Sequence, residues 1–160
     1  MPDLKIVIDK KSGTLSLFDG EKLALAHPVA LGRNSAADKA VEGDEATPVG
    51  EFYVCARNPR SKFFLSLCLS YPNAEDAQRG LASGLIGADE HAAILQALRE
   101  RRLPPQHTAL GGEIYIHGQP TETSGEHLKN WTRGCIAVSN AVMQELYDRV
   151  PLGTPVIINA

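Results

Sequence analysis

Residues 63–71 carry the pattern that most restricts the fold of this chain. Apolar side chains occupy alternate positions, at Phe63, Leu65, Leu67, Leu69 and Tyr71, and the intervening positions hold Phe64, Ser66, Cys68 and Ser70. Because successive side chains of a β-strand point to opposite faces, this period of two predicts a strand whose first face lies in a core. The second face is small and polar enough to line a cleft, although an ordinary surface face is the simpler prediction.

Other short runs predict a protein built mainly from such strands. Further strands are expected over residues 4–8, 14–18, 22–31, 49–56, 113–117 and 155–158. Residues 32–48 are polar and rich in small side chains, which predicts a long loop of the kind that is often functional. Helices are expected from Asp89 to about Glu100, from Ser139 to about Arg149, and as one short segment within 73–87. Together these segments predict a mostly antiparallel β protein with two or three helices. The pattern alone does not decide between a β-sandwich and a β-barrel.

Length and charge restrict the class of protein further. The chain has 160 residues, which is the size of one domain over 1–160. It carries 16 basic and 19 acidic residues and no basic block, so nucleic acid is not an expected partner. The chain contains no run of about 18 apolar residues, so a membrane-spanning helix is not expected. The first eleven residues lack the apolar segment of a signal peptide.

One cysteine and one histidine stand where nucleophilic catalysis would need them. Cys135 follows a glycine in Thr132-Arg133-Gly134-Cys135, and His117 ends the strand predicted over 113–117. A thiolate is the reactive form of cysteine, and an adjacent base can generate it near neutral pH. The fourteen residues 118–131 form a loop long enough to bring the two strand ends together over a cleft. We therefore expect Cys135 to be the nucleophile and His117 to be its general base, either in a preformed thiolate–imidazolium pair or during the attack.

The spacing of this pair resembles the signature of L,D-transpeptidase catalytic domains of the YkuD type. In that signature a histidine is followed, after about fourteen to seventeen residues, by Ser or Thr, any residue, Gly and Cys. The segments 43–53, 58–63, 67–73 and 150–158 also resemble parts of the family, the first through Thr47-Pro48-Val49-Gly50-Glu51-Phe52. The resemblance implies a YkuD-type β-sandwich with the cysteine and histidine at the end of a cleft.

The resemblance also implies the reaction, which is acyl transfer on peptidoglycan stem peptides. Cys135 would attack the carbonyl of the third residue, at its L-centre, and release the terminal D-alanine. An amine, from a second stem peptide or a D-amino acid, would resolve the thioester in transpeptidation, and water would resolve it in carboxypeptidation. Carbapenem acylation of the thiol is expected, and no metal or organic cofactor is needed. The backbone carbonyl of Gly118 is the group that would orient His117.

Neighbouring residues have expected roles at the same site. Gly134 allows the backbone to approach a substrate closely, or simply makes a tight turn. Backbone N–H groups from Arg133 to Cys135 are natural donors to an oxyanion. Thr132 can hydrogen-bond within the loop, while the Arg133 side chain either holds a thiolate or carboxylate or faces solvent. Trp131 either walls the cleft or packs in the core.

Two features depart from the family pattern. Many members carry Arg or Asn two residues after the cysteine, where this chain has Ala137, so a carboxylate contact is absent or supplied elsewhere. Members usually work in the cell envelope or periplasm, yet the first eleven residues show no export signal. Three explanations are open: the sequence lacks the export signal of its protein, the protein reaches the envelope by another route, or the protein stays inside the cell.

Alternative interpretations are also open. A non-catalytic module that binds the cell wall would keep the fold without turnover, and a hydrolase of envelope peptides, delivered to another cell as a toxin, would explain the missing signal. A metal site drawn from His107, His117, His127 and Cys135 has no close ligand pair to support it. Cys55 and Cys68 either face each other across a hairpin or are small buried hydrophobic residues.

Overall fold

The computed structural model describes residues 2–119 and 130–160 and contains eight strands and three helices. The strands are β1 (Leu4–Asp9), β2 (Thr14–Asp19), β3 (Lys22–Pro28), β4 (Gly50–Ser61), β5 (Phe64–Leu69), β6 (Tyr115–His117), β7 (Ile136–Ala137) and β8 (Pro155–Asn159). The helices are α1 (Ala74–Ala82), α2 (Ala88–Arg99) and α3 (Asn140–Arg149). The prediction of a mostly β protein with a few helices is confirmed.

All eight strands belong to one curled sheet, in the order β3-β2-β1-β8-β4-β5-β6-β7. The pairs β1–β8 and β6–β7 are parallel, and the other five are antiparallel. The long strand β4 joins two halves, because it pairs with β8 near its start and with β5 further on. The ends of the sheet also meet, since Ala30, just after β3, exchanges backbone hydrogen bonds of 2.9 and 2.8 Å with Ala137 in β7.

The main core lies between these two halves. Ile6 and Leu17 of the first half share one buried cluster with Leu67 and Ile116 of the second, and Met143 of α3 joins them. The two layers of the expected sandwich are thus the two halves of one sheet. The alternating face of β5 that was predicted to be core is buried from Leu65 onward.

The opposite face of β5 corrects the sequence prediction. Ser66, Cys68 and Ser70 are 4%, 5% and 1% exposed, so they do not form an ordinary surface face. The strand lies between β4 and β6, and the Ser70 hydroxyl accepts a hydrogen bond from the Tyr53 N–H at 2.9 Å. A satisfied hydroxyl can be buried at little cost, which is why small polar residues are tolerated there.

Helices α1 and α3 begin at side-chain caps, and the cap of α3 at Ser139 is the one that the sequence predicts. At the start of α1, Asn73 and Asp76 cap each other's backbone N–H groups at 2.9 and 3.0 Å. At the start of α3, the Ser139 hydroxyl accepts from the Val142 N–H at 3.3 Å. In α2, Gly87 is the N-cap in place of the expected Asp89, which lies in the first turn. A second small core forms around α1 and α2, from Ala77, Ile86, Ile94 and Leu110.

Strand boundaries differ from the predictions near the end of the sheet that carries Cys135 and His117. Strand β3 ends at Pro28 and β4 continues to Ser61. Strand β6 begins only at Tyr115, because Glu113 has a φ of 56°, which no strand accommodates. Strand β7 was not predicted, because its two residues are too few to show a period.

Candidate active site

Strands β6 and β7 bring the cysteine and the histidine to one cleft. His117 is the last residue of β6, and Cys135 immediately precedes β7, which pairs with β6 in parallel. Both residues line a cleft of about 440 Å³, whose walls include Tyr115, Phe63 and Trp131. The predicted meeting of the two strand ends is therefore present, whereas the intervening residues 120–129, with His127, lie outside the described part of the chain.

The His117 ring is held in one orientation by its own strand end. Its Nδ1 lies 2.6 Å from the backbone oxygen of Gly118, which is the partner that the family resemblance implied. Because a carbonyl oxygen can only accept, Nδ1 carries a proton and Nε2 is the basic nitrogen of the neutral ring. Phe63 stacks on the imidazole with ring centroids 4.3 Å apart and planes 19° apart, and Trp131 lies at 5.9 Å.

Burial makes His117 a weaker base than a free histidine. Its side chain is 2% exposed, and this desolvation lowers its pKa below 6.5. The hydrogen bond to Gly118 opposes that effect, while the positive charge of Lys62 adds to it. The imidazole is thus neutral at neutral pH and free to accept a proton.

The Cys135 sulfur is held by backbone groups on the neighbouring strand. The Tyr115 N–H donates to Sγ at 3.4 Å, and the thiol donates to the Glu113 oxygen at 3.2 Å. Within residues 2–119 and 130–160 these are its hydrogen-bond partners, and the His117 ring is not one of them. Burial raises the pKa of Cys135 to about 11, the Glu113 carboxylate also raises it, and Lys39 is among the groups that lower it.

These pKa shifts distinguish between the two resting states that were predicted. A raised thiol pKa and a lowered imidazole pKa both favour the neutral forms, so a thiol and a neutral imidazole rest side by side in the cleft. General-base assistance during attack is consistent with that resting state. The same directions favour it over a preformed thiolate–imidazolium pair.

The loop before Cys135 is fixed by a buried hydrogen-bond network. The Thr132 hydroxyl donates to the Cys135 oxygen at 2.7 Å and accepts from the Gly134 N–H at 3.1 Å, so the expected hydrogen bond within the loop is present. The Thr47 hydroxyl donates to the Gly134 oxygen at 2.8 Å and accepts from the Gly32 N–H at 2.9 Å. The Gly134 N–H is already occupied by Thr132. Of the three backbone N–H groups predicted as oxyanion donors, those of Arg133 and Cys135 are therefore left.

Gly134 is required by packing against the chain itself. Its φ is 136°, and an added Cβ would lie 2.7 Å from the backbone oxygen of Ala46. The close approach that the structure shows at this glycine is therefore to residue 46.

A second cleft, of about 470 Å³, meets the first at Cys135. Arg33, Glu113 and Arg133 border both clefts, and Arg33 forms an exposed 2.7 Å ion pair with Glu45. The Arg133 side chain is exposed at the rim, which agrees with the prediction that it faces solvent. Trp131 is half-buried and forms a wall of the first cleft.

Several residues of this site carry no signal of their role in the sequence. The alternating pattern assigned Phe63 to the core. Strand β5 begins only at Phe64, so Phe63 lies outside that alternation, and its ring stacks on His117. Arg33 and Thr47 lie in the long loop 32–48, which was predicted to be functional without naming a residue. Lys62 and Glu113 lie in the segments 58–63 and 113–117, where no sequence signal marked their charges, and only the folded cleft brings those charges near Cys135.

Position 137 cannot supply a carboxylate contact in this fold. Ala137 is fully buried in β7, where it pairs with His117 and with Ala30. Cationic side chains reach the clefts from other positions instead, at Arg33, Lys62 and Arg133.

No metal-binding group is evident among the described residues. Over 2–119 and 130–160, no three His, Cys, Asp or Glu side chains are placed to hold an ion. His107 lines the second cleft, apart from His117 in the first. No helix in the same part of the chain is both long and apolar enough to cross a membrane.

Comparisons with known proteins agree on one family. A family profile described as the L,D-transpeptidase catalytic domain YkuD matches residues 3–158. A search of curated proteins found no match.

Among solved structures, a mutant of the helical cell shape determining protein Pgp2 from Campylobacter jejuni superposes with a TM-score of 0.68 at 23% identity, over 98% of this chain and 47% of that one. An L,D-transpeptidase from Mycobacterium smegmatis gives 0.60 at 15%, over 99% and 59%. The L,D-transpeptidase LdtMt1 in complex with imipenem gives 0.54 at 17%, over 98% and 59%. The chain thus spans roughly half the length of these proteins, and the likeness shows a common fold.

Proposed function

This chain belongs to the YkuD family of L,D-transpeptidase catalytic domains, and from that membership we propose that it is a cysteine acyltransferase acting on peptidoglycan stem peptides. The observation that carries the proposal is the convergence of Cys135 and His117 on one cleft, with the imidazole oriented by the Gly118 carbonyl. A thiol nucleophile beside an oriented base is the arrangement that acyl transfer through a thioester requires.

Acylation begins with a neutral thiol in this proposal. Nε2 of His117 takes the thiol proton as Sγ of Cys135 attacks the carbonyl carbon of the third stem residue. The carbon–sulfur bond forms, and the carbonyl oxygen becomes an oxyanion. The Cys135 N–H, with that of Arg133, would donate to this oxyanion, and loss of one such donor typically costs about 3 kcal/mol of barrier.

Collapse of the tetrahedral intermediate completes the first half of the reaction. The carbon–nitrogen bond to D-alanine breaks, and the imidazolium of His117 returns its proton to the leaving amine. The thioester on Cys135 then awaits an acceptor amine or water. The acceptor gives a proton to His117, attacks the thioester carbon, and displaces the sulfur, which regains its proton.

Two clefts that meet at the nucleophile suit a reaction with two substrates. A donor peptide in one cleft and an acceptor amine in the other would both reach Cys135 without crossing. Arg33 and Arg133 border both clefts and can pair with the carboxylates of stem peptides, which compensates for the alanine at position 137. The cell envelope is the compartment where such substrates occur.

The experiment that tests the proposal is mass spectrometry of products from a disaccharide tetrapeptide, with and without a D-amino acid. Wild type should release D-alanine, Cys135→Ala should not, and Cys55→Ser, which removes a thiol outside the clefts, should retain activity. An exchanged or dimeric product would make the protein a transpeptidase, and tripeptide alone would make it an L,D-carboxypeptidase.

A second probe separates the nucleophile from the choice of donor. The neighbour LdtMt1 was solved with imipenem, so we propose that the same carbapenem acylates Cys135 here, adding the mass of one imipenem. Acylation without tetrapeptide turnover would keep the nucleophile and reject the donor. An inert thiol would favour a non-catalytic cell-wall module.

A further inference from the structure

Two thiols that the proposed reaction does not use lie side by side between β4 and β5. Val54 pairs with Leu69 and Ala56 pairs with Cys68, so Cys55 is the extra residue of a β-bulge opposite Cys68. The Cys55 thiol donates to the backbone oxygen of Cys68 at 3.5 Å, and both cysteines are free. Ala56 is the Cα partner of Cys68, and Cys55 is its chain neighbour, so the close approach of the two cysteines rests on this 3.5 Å contact.

The two thiols differ in reactivity in the way that a disulfide exchange requires. Interaction with the Cys68 side chain lowers the pKa of Cys55, which is half-buried. The same interaction and burial raise the pKa of Cys68, which is 5% exposed. Cys55 is therefore the thiol that meets an oxidant first. Cys135, with its pKa raised to about 11, is less reactive at rest.

We propose that Cys55 and Cys68 form a redox site that closes into a disulfide by exchange with an oxidised small thiol. The Cys55 thiolate attacks the disulfide of the oxidant and releases one thiol, which leaves a mixed disulfide on Cys55. The Cys68 sulfur then attacks Cys55 Sγ, releases the second thiol and transfers its proton to it. Two protein thiols are oxidised, and one disulfide is reduced to two thiols.

The bond would connect β4 to β5, which pairs with the strand beside Cys135. Cys68 pairs with Tyr115, whose N–H donates to the Cys135 sulfur. Closing the loop of residues 56–67 therefore braces the strand on which that contact depends. The chain has three cysteines, so the disulfide also leaves Cys135 as the one remaining thiol in an oxidising compartment.

The test is disulfide mapping of the reduced protein after incubation with oxidised glutathione. Remaining thiols are alkylated, the protein is digested without reductant, and the peptides are identified by mass spectrometry. We expect a linked Cys55–Cys68 peptide pair, an alkylated Cys135, and a loss of two titratable thiols. The Tm should rise by about 6–12 °C relative to the reduced protein.

Matched variants complete the experiment. Cys135→Ser should keep both the linked pair and the thermal shift, whereas Cys55→Ser and Cys68→Ser should lose both. The Tm of each reduced variant reports whether it is folded. A Cys68–Cys135 link, a stable glutathione adduct on Cys55 in wild type, or three unreacted thiols would each overturn the proposal. The readout needs no peptidoglycan turnover, so it stands or falls separately from the proposed function.

Discussion

Thr47 offers a direct test of how the loop before the nucleophile is held in place. Its hydroxyl is fully buried and bridges the Gly32 N–H and the Gly134 oxygen, one residue before Cys135. The substitution Thr47→Val preserves the side-chain shape and removes only the hydroxyl. Two buried backbone groups are then left without their partner.

The expected cost follows from those two groups. Each unpaired buried donor or acceptor costs about 1–3 kcal/mol, so Thr47→Val should lower the free energy of unfolding by about 2–6 kcal/mol. Thr47→Ser keeps the hydroxyl and loses one methyl group, which costs about 1 kcal/mol. Since Gly134 positions Cys135, we also expect Thr47→Val to slow acylation of the thiol by more than about tenfold under conditions where it is folded.

Urea unfolding of the three proteins, followed by circular dichroism, measures the first effect, and the rate of imipenem acylation measures the second. Thr47→Ser should remain near wild type in both. A Thr47→Val protein within about 0.5 kcal/mol of Thr47→Ser would refute the argument that the bridging hydroxyl stabilises this loop.

Three further predictions concern charge and stacking. Lys62→Met removes a positive charge that lowers the His117 pKa, so the acid limb of the pH–rate profile should move to higher pH, while Lys11→Met on an exposed turn leaves it in place. Phe63→Ala removes the ring stacked on the imidazole and should lower kcat/KM by about 2–10-fold, and Phe63→Tyr should restore it; equal losses in both would contradict this role. Burial raises the Asp76 pKa to about 6, above its value of 3.8 in the unfolded chain, so its contribution to stability is greatest at low pH and is lost as pH rises through 6. Urea titrations from pH 4.5 to 7.5 should show this loss in wild type but not in Asp76→Asn, and a wild type that gains stability relative to the variant would reverse the assignment.

The strands and helices were largely predictable because their patterns are local. Alternation identified β5, and the residues after Asn73 and Ser139 start helices at side-chain caps. What the sequence could not show was the burial of both faces of β5 or the existence of β7. Those features depend on which strands become neighbours, and that information lies in contacts between distant residues.

The same division applies to the site. Cys135 and His117 were found from their spacing and from the resemblance to a family, and the structure brings them to one cleft. The stacking of Phe63 on His117 and the bridging by Thr47 were not predicted, because both depend on where two separate loops meet. The pKa directions were equally inaccessible, since the burial that governs them exists only in the folded chain.

The position of β8 has a consequence for how this protein is made. This strand follows Cys135 in the chain, yet it lies between β1 and β4 in the sheet. A ribosome therefore synthesises Cys135 before the strand that completes its surroundings. Until residue 159 has been translated, the chain lacks the strand between β1 and β4, so the sheet around Cys135 is completed only after Cys135 itself has been made.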